Sequence, residues 1–401
     1  MTTHKRRVLV VGGGFGGIKT ALKLCQADDY HVSLISDNPE FCYHGALYRV
    51  ATGINSGQSN IPLTEIFRNK NVELIIDQAS GLDRSQKKIL LRSGRQLSYD
   101  RLIIAIGSQP NFFNIKGLAD FALPLHSLQD AQKIKRLLHD QLVDNSSKEL
   151  NCVIVGGGPA GIELAGEMGA YLRRVAIHHN LGQQKINIDL VEAAPRLVPK
   201  MPKDMSKKIR QRLRRLGITL FLGETVQAET ADALMVGGKS IRSHIVIWTA
   251  GVKNQGFFTH NDFSLSDKGL VMVDRYLRAE PDIWVIGDNA DTPYAGMAQT
   301  ALHDAEYVAD NLSRMAAGKY SKVYMPKKPV YVIPVGYHWA AILWGPFLIY
   351  GWLGWAFRRL ADWEAYRNLE PWWPAGLRWL SDFAQEDCPA CATNPALVKT
   401  K

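Results

Sequence analysis

Three observations predict an α/β fold. A short apolar strand, Val8–Val11, runs into Gly12-Gly13-Gly14-Phe15-Gly16-Gly17 and then into a helical pattern over Ile18–Leu24. The same succession returns at Cys152–Val155, Gly156–Gly161 and Ile162–Tyr171. A further apolar strand, Ile283–Ile286, ends in Gly287-Asp288 and is followed by a loop and a helical stretch, Ala298–Met315. Strands that alternate with helices build parallel sheets. Two GxGxxG turns in strand–turn–helix context predict two Rossmann-type dinucleotide-binding units.

Each element has a physical reason. In the first turn Gly12 permits the tight bend, Gly14 lets backbone approach a pyrophosphate, and Gly17 lets helix and strand pack closely. The helix beginning at Phe15 then presents free N–H groups and a partial positive charge to the phosphates. Gly156, Gly158 and Gly161 repeat the arrangement. One such turn is weak evidence, because glycine-rich turns are common; two in the same context are not coincidence.

An acid at the end of the next strand would bond the ribose hydroxyls. In the second unit that acid is Glu192, which closes the strand Ile186–Val191. A carboxylate there repels a ribose phosphate, so NADH is favoured over NADPH. In the first unit the strand His31–Ile35 ends instead in Ser36-Asp37, and either residue is a candidate. Two more strands end in small residues where a cofactor can lie against backbone, at Ala105 and Gly107 and at Ala250 and Gly251. Asp288, with Gly287 before it, can bond a ribityl hydroxyl or cap the helix that follows.

The chain has 401 residues, 46% hydrophobic and 21% charged, which suits a globular protein of two or more domains. Its formal net charge is +10. No nucleic-acid motif accompanies that excess, and the basic run Lys203–Arg215 reads as a solvated helix face. Cys25 and Cys152 sit in apolar patterns, Cys42 stands alone, and Cys388 and Cys391 form half of a zinc pattern with no second pair. No metal site and no secreted disulfide framework is expected. The first strand begins almost at once, without a signal-peptide pattern, which points to the cytosol or its membrane face.

With these residues in view, the chain resembles the two-dinucleotide pyridine-nucleotide oxidoreductases and, within them, the type II NADH dehydrogenases. The resemblance rests on VLVVGGGFGGIKTALKL, LYRVATG, YDRLIIAIGSQPNFFNIKG, ALPLHSLQDA, VIVGGGPAGIELAGEM, DLVEAAPRLVPKMP, VIWTAGV and VIGDNAD, in that order over residues 7–315. It implies a discontinuous FAD domain, residues 1–115 and 256–320, with an NADH domain, 116–255, inserted in it. It implies hydride transfer from NADH to FAD, then transfer of two electrons to a membrane quinone without proton pumping. Glu163 matches the acid that the family places near the nicotinamide. Ala298-Gln299-Thr300-Ala301-Leu302-His303 stands where the family has Ala-Gln-x-Ala-x-Gln by the flavin ring. Ala298 would then touch cofactor, and Gln299 and His303 would serve the acceptor, with His303 in place of the second glutamine. The CxxxxC of the disulfide reductases is missing. A soluble reductase serving a ferredoxin and a flavoprotein like apoptosis-inducing factor are the alternatives.

Residues 339–357, WAAILWGPFLIYGWLGWAF, carry no charge. Gly345-Pro346, Gly351 and Gly354 interrupt them, and the tryptophans are spread along them. That pattern predicts an apolar, helical membrane-anchoring region at the interface, rimmed by Arg358 and Arg359, and not a span. A buried core or a homodimer contact is the alternative. Residues 321–401 would form this region and its tail, on the cytoplasmic face of the cell membrane.

Overall fold

The computed structural model describes residues 5–53, 59–144 and 149–381. The tail cysteines Cys388 and Cys391 lie outside these residues.

Strand β1 (Arg6–Val11), helix α1 (Phe15–Leu24) and strand β2 (Tyr30–Ser36) open the chain, and β2 pairs in parallel with β1, Val11 opposite Ile35. Helix α2 (Leu47–Ala51) follows, then β3 (Val72–Ile76) beside β2 and β4 (Arg101–Ile104) on the other side of β1. The chain then leaves this sheet. It builds a second, fully parallel sheet from β5 (Leu123–Pro124), β6 (Glu149–Val155), β7 (Lys185–Glu192), β8 (Thr219–Leu222) and β9 (Ile245–Trp248), in the order β5-β9-β6-β7-β8. Helices α3 (Leu128–Val143), α4 (Pro159–His178) and α5 (Lys203–Arg215) connect these strands. The crossing between sheets is made twice, on the antiparallel pair Ser108–Pro110 and Val252–Asn254. The chain returns through β10 (Arg278–Glu280) and β11 (Ile283–Val285), and the first sheet runs β10-β11-β4-β1-β2-β3. Helix α6 (Ala298–Ala316) packs on α1.

The central strands are buried on both faces, as helix-covered parallel strands must be. Val8, Val10, Leu34 and Ile103 are fully buried in the first sheet, as are Val153, Ile154 and Ile247 in the second. Helix α3 starts in a capping box, in which the Ser127 hydroxyl accepts from the Asp130 N–H and the Asp130 carboxylate accepts from the Ser127 N–H. The basic helix α5 buries Met205, Ser206, Ile209 and Leu213 and turns its other face, with Lys207, Lys208 and Arg214, to solvent.

The C-terminal region departs from the expected helix. Residues 331–351 form a three-stranded antiparallel sheet, β12 (Tyr331–Pro334), β13 (Ala340–Trp344) and β14 (Phe347–Gly351). Only then do α7 (Trp352–Arg367) and α8 (Trp372–Ser381) follow. The Gly345-Pro346 break is the turn of the β13–β14 hairpin, where Trp344 pairs with Phe347. The base of the hairpin is core: Ala340, Ala341 and Ile342 are at most 1% exposed. Gly354 of α7 lies so close that an added Cβ would stand 2.4 Å from the Ala340 carbonyl oxygen. Arg358 and Arg359 are not a rim either; both are buried and paired with Asp362. Among the described residues no helix is long and apolar enough to cross a membrane.

Candidate active site

The two glycine turns have the same backbone geometry. Gly12 has φ +121° and Gly156 has φ +120°, a region that side chains rarely enter. An added Cβ at Gly17 would stand 1.9 Å from the Gly12 carbonyl oxygen, and one at Gly161 would stand 2.0 Å from that of Gly156. The middle glycines, Gly14 and Gly158, have open space where a Cβ would be. They cap α1 and α4 with extended backbone and no side-chain hydrogen bond, which leaves the first N–H groups of both helices without a capping side chain. That is an anion cradle at each turn.

A cleft of about 1130 Å³ begins at the first turn. Gly12, Gly14, Ser36, Asp37, Ala105 and Gly107 line one part of it, and Asp288 and Glu163 line another. Phe15 lies beneath the turn, edge-on to Phe41 at 4.8 Å and to Tyr43 at 5.8 Å. Gly17 and Gly287 serve packing: a Cβ on Gly287 would be 3.2 Å from that of Ala301. Of the two candidates for the ribose, the buried Ser36 donates its hydroxyl to the Asn38 carbonyl oxygen at 2.7 Å, while Asp37 is exposed. Burial raises the Asp288 carboxyl, against the Gly296 N–H, His126 and Ser108, which lower it.

Sequence reasoning missed the residue that holds this part together. Asn289 is fully buried; its Oδ1 accepts from the Gly107 N–H at 2.9 Å and its Nδ2 donates to the Gly107 carbonyl at 2.7 Å. It fixes the end of β4 against the turn after β11. Its only signal was its place directly after Gly287-Asp288.

Of the second turn, Ala160 reaches the cleft lining, while Gly156, Gly158 and Gly161 do not. Glu192 closes β7 beside it; its carboxylate accepts from the N–H of Gly157 at 2.6 Å and of Ala194 at 2.7 Å. Ala250 and Gly251 follow β9, and a Cβ on Gly251 would press on the Phe113 ring at 2.8 Å.

Glu163, one turn into α4, links the second unit to the cleft of the first. It is 8% exposed, and burial pushes its carboxyl up to about 7, against Arg358 and Arg49, which lower it. Those two arginines belong to a buried cluster. Asp362 of α7, with no exposed surface, accepts from Arg49 Nη2 at 2.5 Å and from the Tyr43 hydroxyl at 2.9 Å, and lies 3.1 Å from Arg358 Nη2. The C-terminal helix thus reaches charged groups to within electrostatic range of the cleft.

Gln299 and His303 are not in the cleft lining. The Gln299 side chain donates to the Val330 carbonyl at 2.9 Å and accepts from the Val330 N–H at 3.0 Å. His303 Nε2 lies 2.9 Å from the Met325 carbonyl oxygen. Both are spent on the backbone of segment 325–330, which comes from later in the chain, and Ala298 before them is exposed. His44 and His126 do line the cleft, their rings 5.4 Å apart. Cys42 lines it too, but burial pushes its thiol up to about 11, so it is a poor nucleophile there. Among the described residues no cluster of three or more histidine, cysteine or acidic side chains could hold a metal ion.

A flavin dinucleotide fits these residues. The glycine cradle leaves room for phosphates where a Cβ would otherwise stand, and the half-buried Asp288 carboxyl in the cleft wall offers a partner for a hydroxyl.

The family model described as pyridine nucleotide-disulphide oxidoreductase matches residues 6–305. The type II NADH:quinone oxidoreductase Ndh of Mycobacterium tuberculosis is 30% identical over 343 residues, 79% of this chain and 74% of that one. NdhA of the same organism is 27% identical, over 91% of this chain and 85% of its own. Among solved structures, NDH2 from Plasmodium falciparum in complex with NADH matches with a TM-score of 0.84 at 18% identity, covering 95% of this chain and 98% of that one. The sulfide:quinone oxidoreductase of Aquifex aeolicus matches with a TM-score of 0.76 at 18% identity, over 90% and 92% of the two chains.

Proposed function

The chain belongs to the pyridine nucleotide-disulphide oxidoreductase family and, within it, to the type II NADH:quinone oxidoreductases, and on that premise we propose how its residues divide the work. The protein oxidises NADH and reduces a quinone through FAD. Residues 1–115 and 256–320 hold the FAD, and residues 116–255 hold the NADH. The observation that carries this reading is the doubled glycine cradle, with one helix N-terminus for each dinucleotide.

Bound FAD supplies the hydride acceptor and passes on two electrons. The protein's part is to bind, orient and manage protons. Gly12, Gly14 and the N-terminus of α1 hold the FAD pyrophosphate, with Ala105 and Gly107 giving it backbone to lie against. Asp288 takes a ribityl hydroxyl, while Ser36 and Asp37 face the adenosine ribose. Gly156, Gly158 and Gly161 hold the NADH pyrophosphate, and Glu192 takes the ribose hydroxyls when they displace its backbone donors. Ala250 and Gly251 border the same site. Gln299 and His303 act on the acceptor side indirectly, by fixing segment 325–330. The protein works as a peripheral protein on the cytoplasmic face of the cell membrane, where the quinone is. The exposed Trp352, Leu353 and Leu360 on the outer face of α7 support that placement.

Glu163 is the proton-handling residue. Its acid form predominates below about 7 and holds a proton on the carboxyl. Reduction of a quinone to a quinol consumes two protons, so turnover should fall as pH rises through about 7. Burial sets that value, lowered by Arg358 of α7 and Arg49 of α2 and raised by Asp362 of α7. In Glu163→Gln the FAD should stay bound, turnover should fall roughly 10²-fold or more, and the inflection near 7 should vanish. A steady-state pH profile of both proteins tests this; the same inflection in the variant would remove Glu163 from the proton path.

A further inference from the structure

The antiparallel register places one end of the C-terminal sheet in an unusual setting. Tyr331 pairs with Leu343 and Trp344 pairs with Phe347, so the chain enters β12 at the same end as the hairpin turn. Lys327 and Lys328 precede that entry by four and three residues, at the end of the sheet that carries the turn, and both are exposed. They are held, not loose. Gln299 grips both backbone groups of Val330 on one side of them, and His303 lies against the Met325 carbonyl on the other. The turn itself shows large apolar groups to solvent: Trp344 is 53% and Phe347 68% exposed. Trp344 meets Phe357 of α7 edge-on at 6.1 Å, which joins the turn to the apolar outer face of that helix.

We propose that the β13–β14 turn inserts Trp344 and Phe347 among the headgroups of a bilayer, and that Lys327 and Lys328, at the same end of the sheet, bind anionic phospholipid headgroups. This rests on the membrane-surface reading above and adds to it the inserting element and the lipid class. Aromatic side chains prefer the headgroup layer, and two exposed ammonium groups on a backbone held at that end of the sheet complement anionic phosphates. Arg358 and Arg359, buried against Asp362, are not placed to do this.

The test is co-sedimentation of the full chain with vesicles of phosphatidylcholine alone and of phosphatidylcholine with phosphatidylglycerol. A lysine near an anionic surface contributes about 1 kcal/mol, which is about five-fold in affinity. K327Q/K328Q is expected to lose about thirty-fold in affinity for the phosphatidylglycerol vesicles. Its weaker binding to phosphatidylcholine and its flavin reduction by NADH should not change. W344S/F347S is expected to lose affinity for both vesicle types. Equal affinity of the native protein for the two vesicle types, or no effect of K327Q/K328Q, would overturn the lipid assignment and leave the membrane reading standing. No binding of the native protein to either vesicle would overturn both. Point variants are required, because removing residues 339–401 would strip Ala340, Ala341 and Ile342 from the core.

Discussion

Gly17→Val is expected to give a protein that carries no flavin and does not oxidise NADH. A Cβ at this position would stand 1.9 Å from the Gly12 carbonyl oxygen and 3.4 Å from the Val10 side chain. The first contact is with backbone and cannot be relieved by a rotamer. Helix α1 would have to lift away from β1, which opens the cradle and the core beneath it. Overpacking of this kind costs about 3 kcal/mol. The matching contrast is Gly14→Ala, where the Cβ would meet nothing within 4 Å and the φ is −90°. That variant should fold with nearly native stability and bind FAD weakly, because only the close approach of phosphate to backbone is lost. Absorbance in the flavin band and thermal melting of both variants check the pair. Full flavin content in Gly17→Val would show that the turn is only structural.

Asp362→Leu is expected to have the largest effect on stability. It removes the acid that pairs with the buried guanidiniums of both Arg49 and Arg358. Breaking a buried ion pair from one side costs about 3–5 kcal/mol, because the other charge stays buried and uncompensated. Burial alone would raise the Asp362 carboxyl, but Arg358 and Arg49 outweigh it and hold the group below its ordinary value. A depressed carboxyl adds stability that is fully present above the unfolded value of about 3.9 and is lost as pH falls through the folded value. The gap in melting temperature between native protein and Asp362→Asn should therefore be constant above pH ~5 and close below pH ~4. A gap that persists unchanged at low pH would mean that Asp362 acts through shape and not through charge.

The parts of this protein legible in sequence were those fixed by local chemistry. The glycine turns, their strands and the acid at Glu192 follow from what a βαβ unit needs around a pyrophosphate, and the structure gives both turns one geometry. The illegible parts depend on residues distant in the chain. Residues 339–357 are apolar throughout, and periodicity cannot separate a buried strand from a helix in such a run. Gly345-Pro346, read as an interruption, was the turn that makes a hairpin with a buried base and an exposed tip. Arg358-Arg359 after an apolar stretch looks like a rim; Asp362, one helical turn on, was the signal of an internal pair. Arg49, the other partner, lies 313 residues away and could not be anticipated. The same holds for Gln299 and His303, whose partners at Met325 and Val330 arrive from a segment with no pattern of its own.

The central claim is that electrons pass from NADH through FAD to a quinone. The most direct test is anaerobic titration of the purified protein with NADH while the visible flavin band is followed, and then addition of a short-chain quinone analogue. The account predicts that NADH bleaches the band within the mixing time and that the quinone restores it. A band that NADH leaves unchanged, or one that only a ferredoxin or a dye restores, would contradict it.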